Sequence, residues 1–173
     1  MKTQQKGFTL IELIIVIVVL GILAVTAAPQ FFNFSTDARE SAIQGLAGAA
    51  NSARDIVHGK ALIEGKEKEA NATTADVDVV YGYPAATANG IIKALNLSVT
   101  DFTVPPADPT TEWGFVVVTG ASGDVAVDDL IIFPVDYTSG ADLSANDGKC
   151  YVVYREAADE TTPAVVKAVT DGC

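Results

Sequence analysis

Between Gly7 and Asp37 the chain carries a single charged side chain, Glu12. The stretch Phe8–Ala28 reads FTLIELIIVIVVLGILAVTAA, 21 residues that as a helix would span roughly 31 Å, the thickness of a hydrocarbon core. Its many Val and Ile residues do not argue for a strand. Lipid offers the backbone no partners, so every N–H and C=O must be satisfied within the segment. Lys2 and Lys6 precede the run, and the next basic residue is Arg39. That asymmetry predicts a cytoplasmic N-terminus and translocation of everything after the apolar helix.

The rest of the chain differs in character. Mean hydropathy is +0.30 although the formal net charge is −11, because the apolar excess is confined to the N-terminal run. Without Lys2 and Lys6 the balance is nine basic side chains against 22 acidic ones, a net −13. Such a surface repels phosphate backbones, so direct nucleic-acid binding is not expected. Cys150 and Cys173 with the lone His58 are too few for a structural metal site. In a translocated domain they predict a disulfide, worth on the order of 3 kcal/mol through the loop it closes.

Glu12 narrows the choice further. A carboxylate in an apolar segment costs roughly 2.5–3.5 kcal/mol on insertion scales, so it needs a partner or a role. A signal peptide cut after Thr26-Ala27-Ala28 would leave Pro29 after the cut and Glu12 inside its apolar region. A plain signal anchor explains the lysines but not the glutamate, and a lipoprotein needs a cysteine after the leader. The nearest cation would be an amine created by cleavage before Phe8. On its own chain that amine is awkwardly placed. On a neighbouring chain it would satisfy both groups and set the axial offset between subunits.

Lys6-Gly7-Phe8-Thr9-Leu10-Ile11-Glu12 closely resembles the processing motif of type IV pilins and their pseudopilin relatives. The resemblance implies cutting after Gly7 by a membrane-embedded prepilin peptidase, methylation of the new Phe8 amine, and Glu12 as the assembly glutamate. It is strong over roughly the first 60 residues and architectural beyond them, where the Cys150–Cys173 pair is similar to the disulfide framing the C-terminal region of pilins. GILAVTAAPQF and YGYPAA look most like the mannose-sensitive haemagglutinin pilins. Gly21 and Pro29 bracket ILAVTAA, either as a mild kink or, as the resemblance implies, as a stretch that loses helicity in assembled fibres.

Three regions are expected: a leader, 1–7; a hydrophobic transmembrane and polymerisation helix, 8–34; and an α+β head, 35–173. Ser35-Thr36-Asp37 with Glu40 has the spacing of a first-turn capping box. Ala38, Ala42, Leu46, Ala49, Ala53, Ile56 and Ile63 then recur at a helical period, predicting the face that packs under a sheet. Ala and Gly at 45–50 permit close helix approach. The cluster Glu64–Glu69 ends the helix. Residues 70–90 read as loop and Gly90–Leu97 as a short helix. Strands are predicted at Trp113–Thr119, Asp129–Val135, Cys150–Arg155 and Ala164–Thr170, with turns at Gly120, Gly123, Gly140 and Gly148. The predicted fold is α+β, pilin-like, a long N-terminal helix on an antiparallel sheet of about four strands.

Catalytic patterns are missing. No Gly-x-Ser-x-Gly, P-loop or Gly-x-Gly-x-x-Gly is present, and His58 reads as a packed or surface histidine. No enzyme activity, cofactor or metal is expected. Asp142-Leu-Ser-Ala-Asn-Asp147-Gly148 alternates oxygen-bearing residues but puts Asp147 where an EF-hand loop needs glycine, and reads first as a hydrophilic turn. The expected function is structural: a homopolymer in an extracellular pilus used for attachment, held in the inner membrane before assembly and handled by the prepilin peptidase and the pilus assembly machinery. The rivals are a pseudopilin of a type II secretion system and a monomeric, signal-anchored binding domain.

Overall fold

In the computed structural model helix α1 occupies Leu10–Glu64 without interruption. The structure describes residues 8–103, 110–120, 125–136 and 149–173, with the backbone alone described at 27–33. The leader, the turn glycines Gly123, Gly140 and Gly148, and the oxygen-rich stretch Asp142–Gly148 lie outside the described residues. The chain divides into two compact units, Met1–Ala38 and Arg39–Cys173.

The box expected at Ser35–Glu40 is not a helix start. The helix runs straight through it, and through Gly21 and Pro29, although Pro29 has no N–H to donate. Where the helix stops, the reason is local. Gly65 adopts φ +69°, its amide donates to the Leu62 carbonyl, and the Lys66 amide reaches back to the Ala61 carbonyl at 2.9 Å. These are the two bonds of a Schellman cap, and the left-handed residue they require is most cheaply glycine.

Three short strands follow where a loop was expected. β1 (Ala72–Thr74), β2 (Val77–Val80) and β3 (Tyr83–Pro84) form an antiparallel sheet in that order. Its turns are two-residue links with both residues at positive φ: Ala75 and Asp76 at 49° and 65°, Tyr81 and Gly82 at 49° and 77°. Positive φ at both central positions matches the right-handed twist of the flanking strands. Val77 and Val79 point inward to Val57 of α1. An irregular helical turn at Ala88–Ile92, capped by the Thr87 hydroxyl accepting from the Gly90 amide at 3.0 Å, leads into α2 (Lys93–Leu95).

The main sheet has five strands in chain order: β4 (Val99–Asp101), β5 (Trp113–Val117), β6 (Leu130–Pro134), β7 (Tyr151–Arg155) and β8 (Val165–Val169). The four expected strands are all there, antiparallel, shortened by a residue or two at their ends. β4 is an unexpected addition and pairs in parallel with β5. Both faces are covered. Leu130, Ile132, Val152 and Tyr154 meet Ile43, Leu46 and Ala47 of α1 in the main core, while Ile131, Phe133, Tyr151, Val153 and Val169 form a second cluster behind the sheet. This double burial explains why β6 reads as a continuous apolar run rather than an alternating one.

The helix face that packs on the sheet is rotated from the expected one. The buried residues are Ile43, Leu46, Ala47, Ala50, Val57 and Ala61. Of the predicted stripe only Leu46 is buried; Ala42 and Ala49 are exposed, and Ile56 and Ile63 remain 73% and 86% accessible. With Ala and Gly distributed all round α1, periodicity fixes that one face is buried but not which.

Candidate assembly site

The first unit presents a helix whose apolar side chains are exposed among the described residues. From Leu10 to Val25 the large hydrophobic residues are 45–76% exposed, and Phe8 is 86% exposed. A helix that is apolar all round belongs inside something, lipid or other protein. Covering what remains exposed would contribute roughly 0.7–2.3 kcal/mol for each Leu, Ile or Val. The polar groups in this stretch are arranged to need little from outside. The Thr26 hydroxyl donates to the Leu23 carbonyl of its own helix at 2.9 Å.

Glu12 has a partner that a search for cations overlooks. Its carboxylate accepts from the Thr9 amide at 2.9 Å and from the Thr9 hydroxyl at 2.7 Å, and its own amide donates back to the Thr9 Oγ1 at 3.4 Å. This is a reciprocal capping box, with Thr9 as N-cap and Glu12 three residues on. The signal was in the sequence as Thr-x-x-Glu. Both side-chain bonds fall on the single oxygen Oε2, and among the described residues no donor reaches Oε1. The site is therefore a capped helix start with one carboxylate oxygen unused.

Of the residues singled out from sequence, Phe8 and Glu12 lie together at this helix start, Gly21 lies two to three turns further along, and Pro29 is further still. A Cβ at Gly21 would meet no atom within 4 Å, so nothing among the described residues requires glycine there. Gly7 precedes the described residues. Among the described residues no helix is long and apolar enough to cross a membrane. The predicted span, Phe8–Ala28, runs into positions 27 and 28, whose side chains are not among those described.

Cys150 and Cys173 are joined, Cα atoms 4.8 Å apart, in the main core beside the paired strands β7 and β8. His58 sits on α1, its ring stacked on Tyr83 with centroids 3.9 Å apart and its Nδ1 3.2 Å from the Gly82 carbonyl. It is a packed histidine, as expected.

A family described as "Prokaryotic N-terminal methylation motif" matches residues 2–28. A fimbrial protein of Pseudomonas aeruginosa is 32% identical over 128 residues, 74% of this chain and 77% of its own length. The type IV major pilin protein PilE1 of Neisseria gonorrhoeae is 36% identical over 101 residues, 57% of this chain and 61% of its own. The type IV major fimbrial protein FimA of Dichelobacter nodosus reaches 42% over 67 residues, 39% of this chain and 40% of its own. No solved structure matches significantly. These relatives place the chain in a family and not in any one branch of it. An apolar helix opening on a capped glutamate, a disulfide-closed α+β unit and a fimbrial relative matched over most of both chains lead to one assignment: this chain belongs to the type IV pilins, the structural subunits of pili.

Proposed function

We propose that the chain is cut between Gly7 and Phe8, that the new Phe8 amine is methylated, and that subunits then polymerise through Phe8–Ala28 into a surface pilus used for attachment. The observation that carries this reading is the uncovered apolar helix with one unused carboxylate oxygen at its start. Before assembly the inner membrane covers that surface, and Lys2 and Lys6 hold the leader on the cytoplasmic side. In the fibre, neighbouring helices take the place of lipid. Glu12 Oε1 accepts from the Phe8 amine of an adjoining subunit while Oε2 keeps its bonds to Thr9. A charge-assisted bond in an apolar setting has one favoured geometry, so it sets how far one subunit is displaced along the next.

The second unit carries a further candidate contact surface. Ala42, Gly45, Ala49, Ser52 and Ile56 recur three and four residues apart on the exposed side of α1. Cβ atoms added at Gly45 and Gly48 meet nothing within 4 Å among the described residues. Small residues at heptad spacing let helix backbones approach closely. They account for the stripe that faces away from the sheet.

The test is Glu12→Gln, with Glu12→Ala beside it. Glutamine preserves the capping box but removes the charge. Both variants should be processed, with terminal mass spectrometry finding methylated Phe8. Both should give at least roughly tenfold fewer sheared fibres, as expected for a lost charge-assisted bond. Fibre yield unchanged in Glu12→Gln would reduce Glu12 to a helix cap. An N-terminus at Met1 or Pro29 in purified fibres would refute the processing step.

A further inference from the structure

Three Asn-x-Ser/Thr triplets stand in this chain: Asn33-Phe34-Ser35, Asn71-Ala72-Thr73 and Asn96-Leu97-Ser98. Such a triplet, with no proline in the middle, is the acceptor for N-linked glycosylation when it lies on the surface of an exported segment. Triplets of this kind also arise by chance, so the fold has to separate them. Asn33 lies within α1, where the backbone is helical from end to end. Asn96 is exposed but ends α2 with φ 50°, its amide donating to the Lys93 carbonyl at 3.0 Å. The next residue, Leu97, packs against the main core, and its amide reaches the Ile92 carbonyl at 3.5 Å. Presenting Asn96 to an enzyme would strip Leu97 from that core.

Asn71 is placed differently. The chain leaves the helix cap at Gly65, bends at Ala70 and Asn71, and only then enters β1. Asn71 and Thr73 are both exposed, and the Asn71 carboxamide makes no hydrogen bond among the described residues. The Thr73 hydroxyl donates to Asp78 Oδ1 at 3.4 Å, beyond the usual length of a hydrogen bond and readily exchanged. β1 is three residues long and bonded to β2 on one side, so its other side is a sheet edge. The Lys66 ammonium, ion-paired with Glu64 at 2.9 Å, donates to the Thr73 carbonyl and holds the main chain of that edge. A fixed main chain with a free carboxamide and a loosely held hydroxyl is an accessible acceptor. Two residues before Asn71 stands an exposed Glu69, where the other two triplets have Phe31 and Ala94. It gives an enzyme groove a charge to hold that the other triplets lack.

We propose that Asn71 is an N-glycosylation site, the acceptor for an oligosaccharide carried on a lipid diphosphate. In the transfer the Asn71 carboxamide nitrogen gives up one proton and bonds to C1 of the first sugar. The bond from C1 to the diphosphate oxygen breaks, and its electron pair and the proton leave with the lipid diphosphate; nothing is oxidised or reduced. The partner is a transferase that recognises the Thr73 hydroxyl and the Glu69 carboxylate. The glycan covers the β1 edge, an unpaired strand side that otherwise invites pairing with other chains. Export of the second unit, which membership of the pilins carries, is required; cleavage and methylation at Phe8 are not.

Peptide mapping of the chain purified from the cells that make it is the test, because trypsin puts the three triplets in separate peptides. Asn71 falls in Glu69–Lys93, Asn96 in Ala94–Lys149, and Asn33 in the peptide ending at Arg39, which reports independently on Phe8. The expected result is a sugar-bearing Glu69–Lys93 peptide, with electron-transfer fragmentation placing the sugar on Asn71. Asn71→Gln and Thr73→Ala should each lower occupancy at least roughly tenfold, whereas Thr73→Ser should keep the sugar. Unfolding midpoints compared with the parent chain show that the variants fold. A wholly unmodified Glu69–Lys93 peptide overturns the proposal. So does sugar attached to Thr73 or Thr74, equal or greater occupancy at Asn33 or Asn96, or sugar on Asn71 that survives Thr73→Ala unchanged.

Discussion

Replacing both cysteines, in Cys150→Ala/Cys173→Ala, should destabilise the second unit by a calculable amount. The bond joins positions 23 apart in sequence. Releasing a loop of that size returns about 3.4 kcal/mol of chain entropy to the denatured state at 25 °C in the loop-closure treatment. Native packing changes less. Both cysteines are buried in the main core, 0% and 9% exposed, and alanine there gives up only the sulfurs, adding on the order of 1 kcal/mol. The β7–β8 pairing from Tyr151↔Val169 to Arg155↔Val165 does not depend on the bridge and should persist. For the unit Arg39–Cys173 an unfolding entropy of about 0.28 kcal/mol/K follows from the per-residue average, so the midpoint should fall by roughly 12–16 °C. Scanning calorimetry of the full chain in detergent measures it, and reduction of the parent chain should give a drop of similar size. A fall of less than about 3 °C, under a quarter of that expected from loop closure, would refute the reasoning.

Two further outcomes are expected. Asp129 is 1% exposed and accepts from Arg155 Nε and a second guanidinium nitrogen, both at 2.7 Å, and from the Ala126 amide at 2.7 Å. The Arg155 side chain is 49% exposed. Arg155→Ala strands a buried carboxylate and should cost about 3 kcal/mol, whereas Asp129→Ala frees a guanidinium to water and should cost about 1–2 kcal/mol; urea unfolding giving the reverse order would count against this. The hydroxyl and then the amide of Thr161, with those of Thr162, hold the Asp159 carboxyl below its ordinary value of 3.8. A depressed folded value means stability that is complete above the unfolded pKa and lost as pH falls through the folded one. Melting midpoints from about pH 6 to about pH 2 should therefore fall less steeply on the acid side in Asp159→Asn than in the parent chain.

Much of this fold was legible residue by residue. The strands around Phe115, Ile132, Val152 and Ala168 announced themselves by apolar runs between turn residues, and the charged cluster Glu64–Glu69 marked the helix end. The disulfide followed from two cysteines in an exported domain. What escaped has physical causes. Ala75-Asp76 is not a turn pair that usually tolerates positive φ, so the hairpin it closes read as loop. β4 borders β5 in parallel, a pairing that local pattern does not reveal. Alanine and glycine line several faces of α1, so Ile43 and Val57 could not be ranked above Ile56 and Ile63 by spacing alone. At the candidate site, Glu12 stood out as an isolated charge, and that prominence hid the plainer hydrogen-bonding relation with Thr9.

That relation bears on how chains join. With Thr9 and Glu12 closing its first turn, the helix start is already capped within one chain. Ordering a backbone residue costs about 1–2 kcal/mol, and here that expense precedes any encounter. Chains would meet as preformed pieces, and growth would be governed by fit and placement, with no folding left to couple to it at this end.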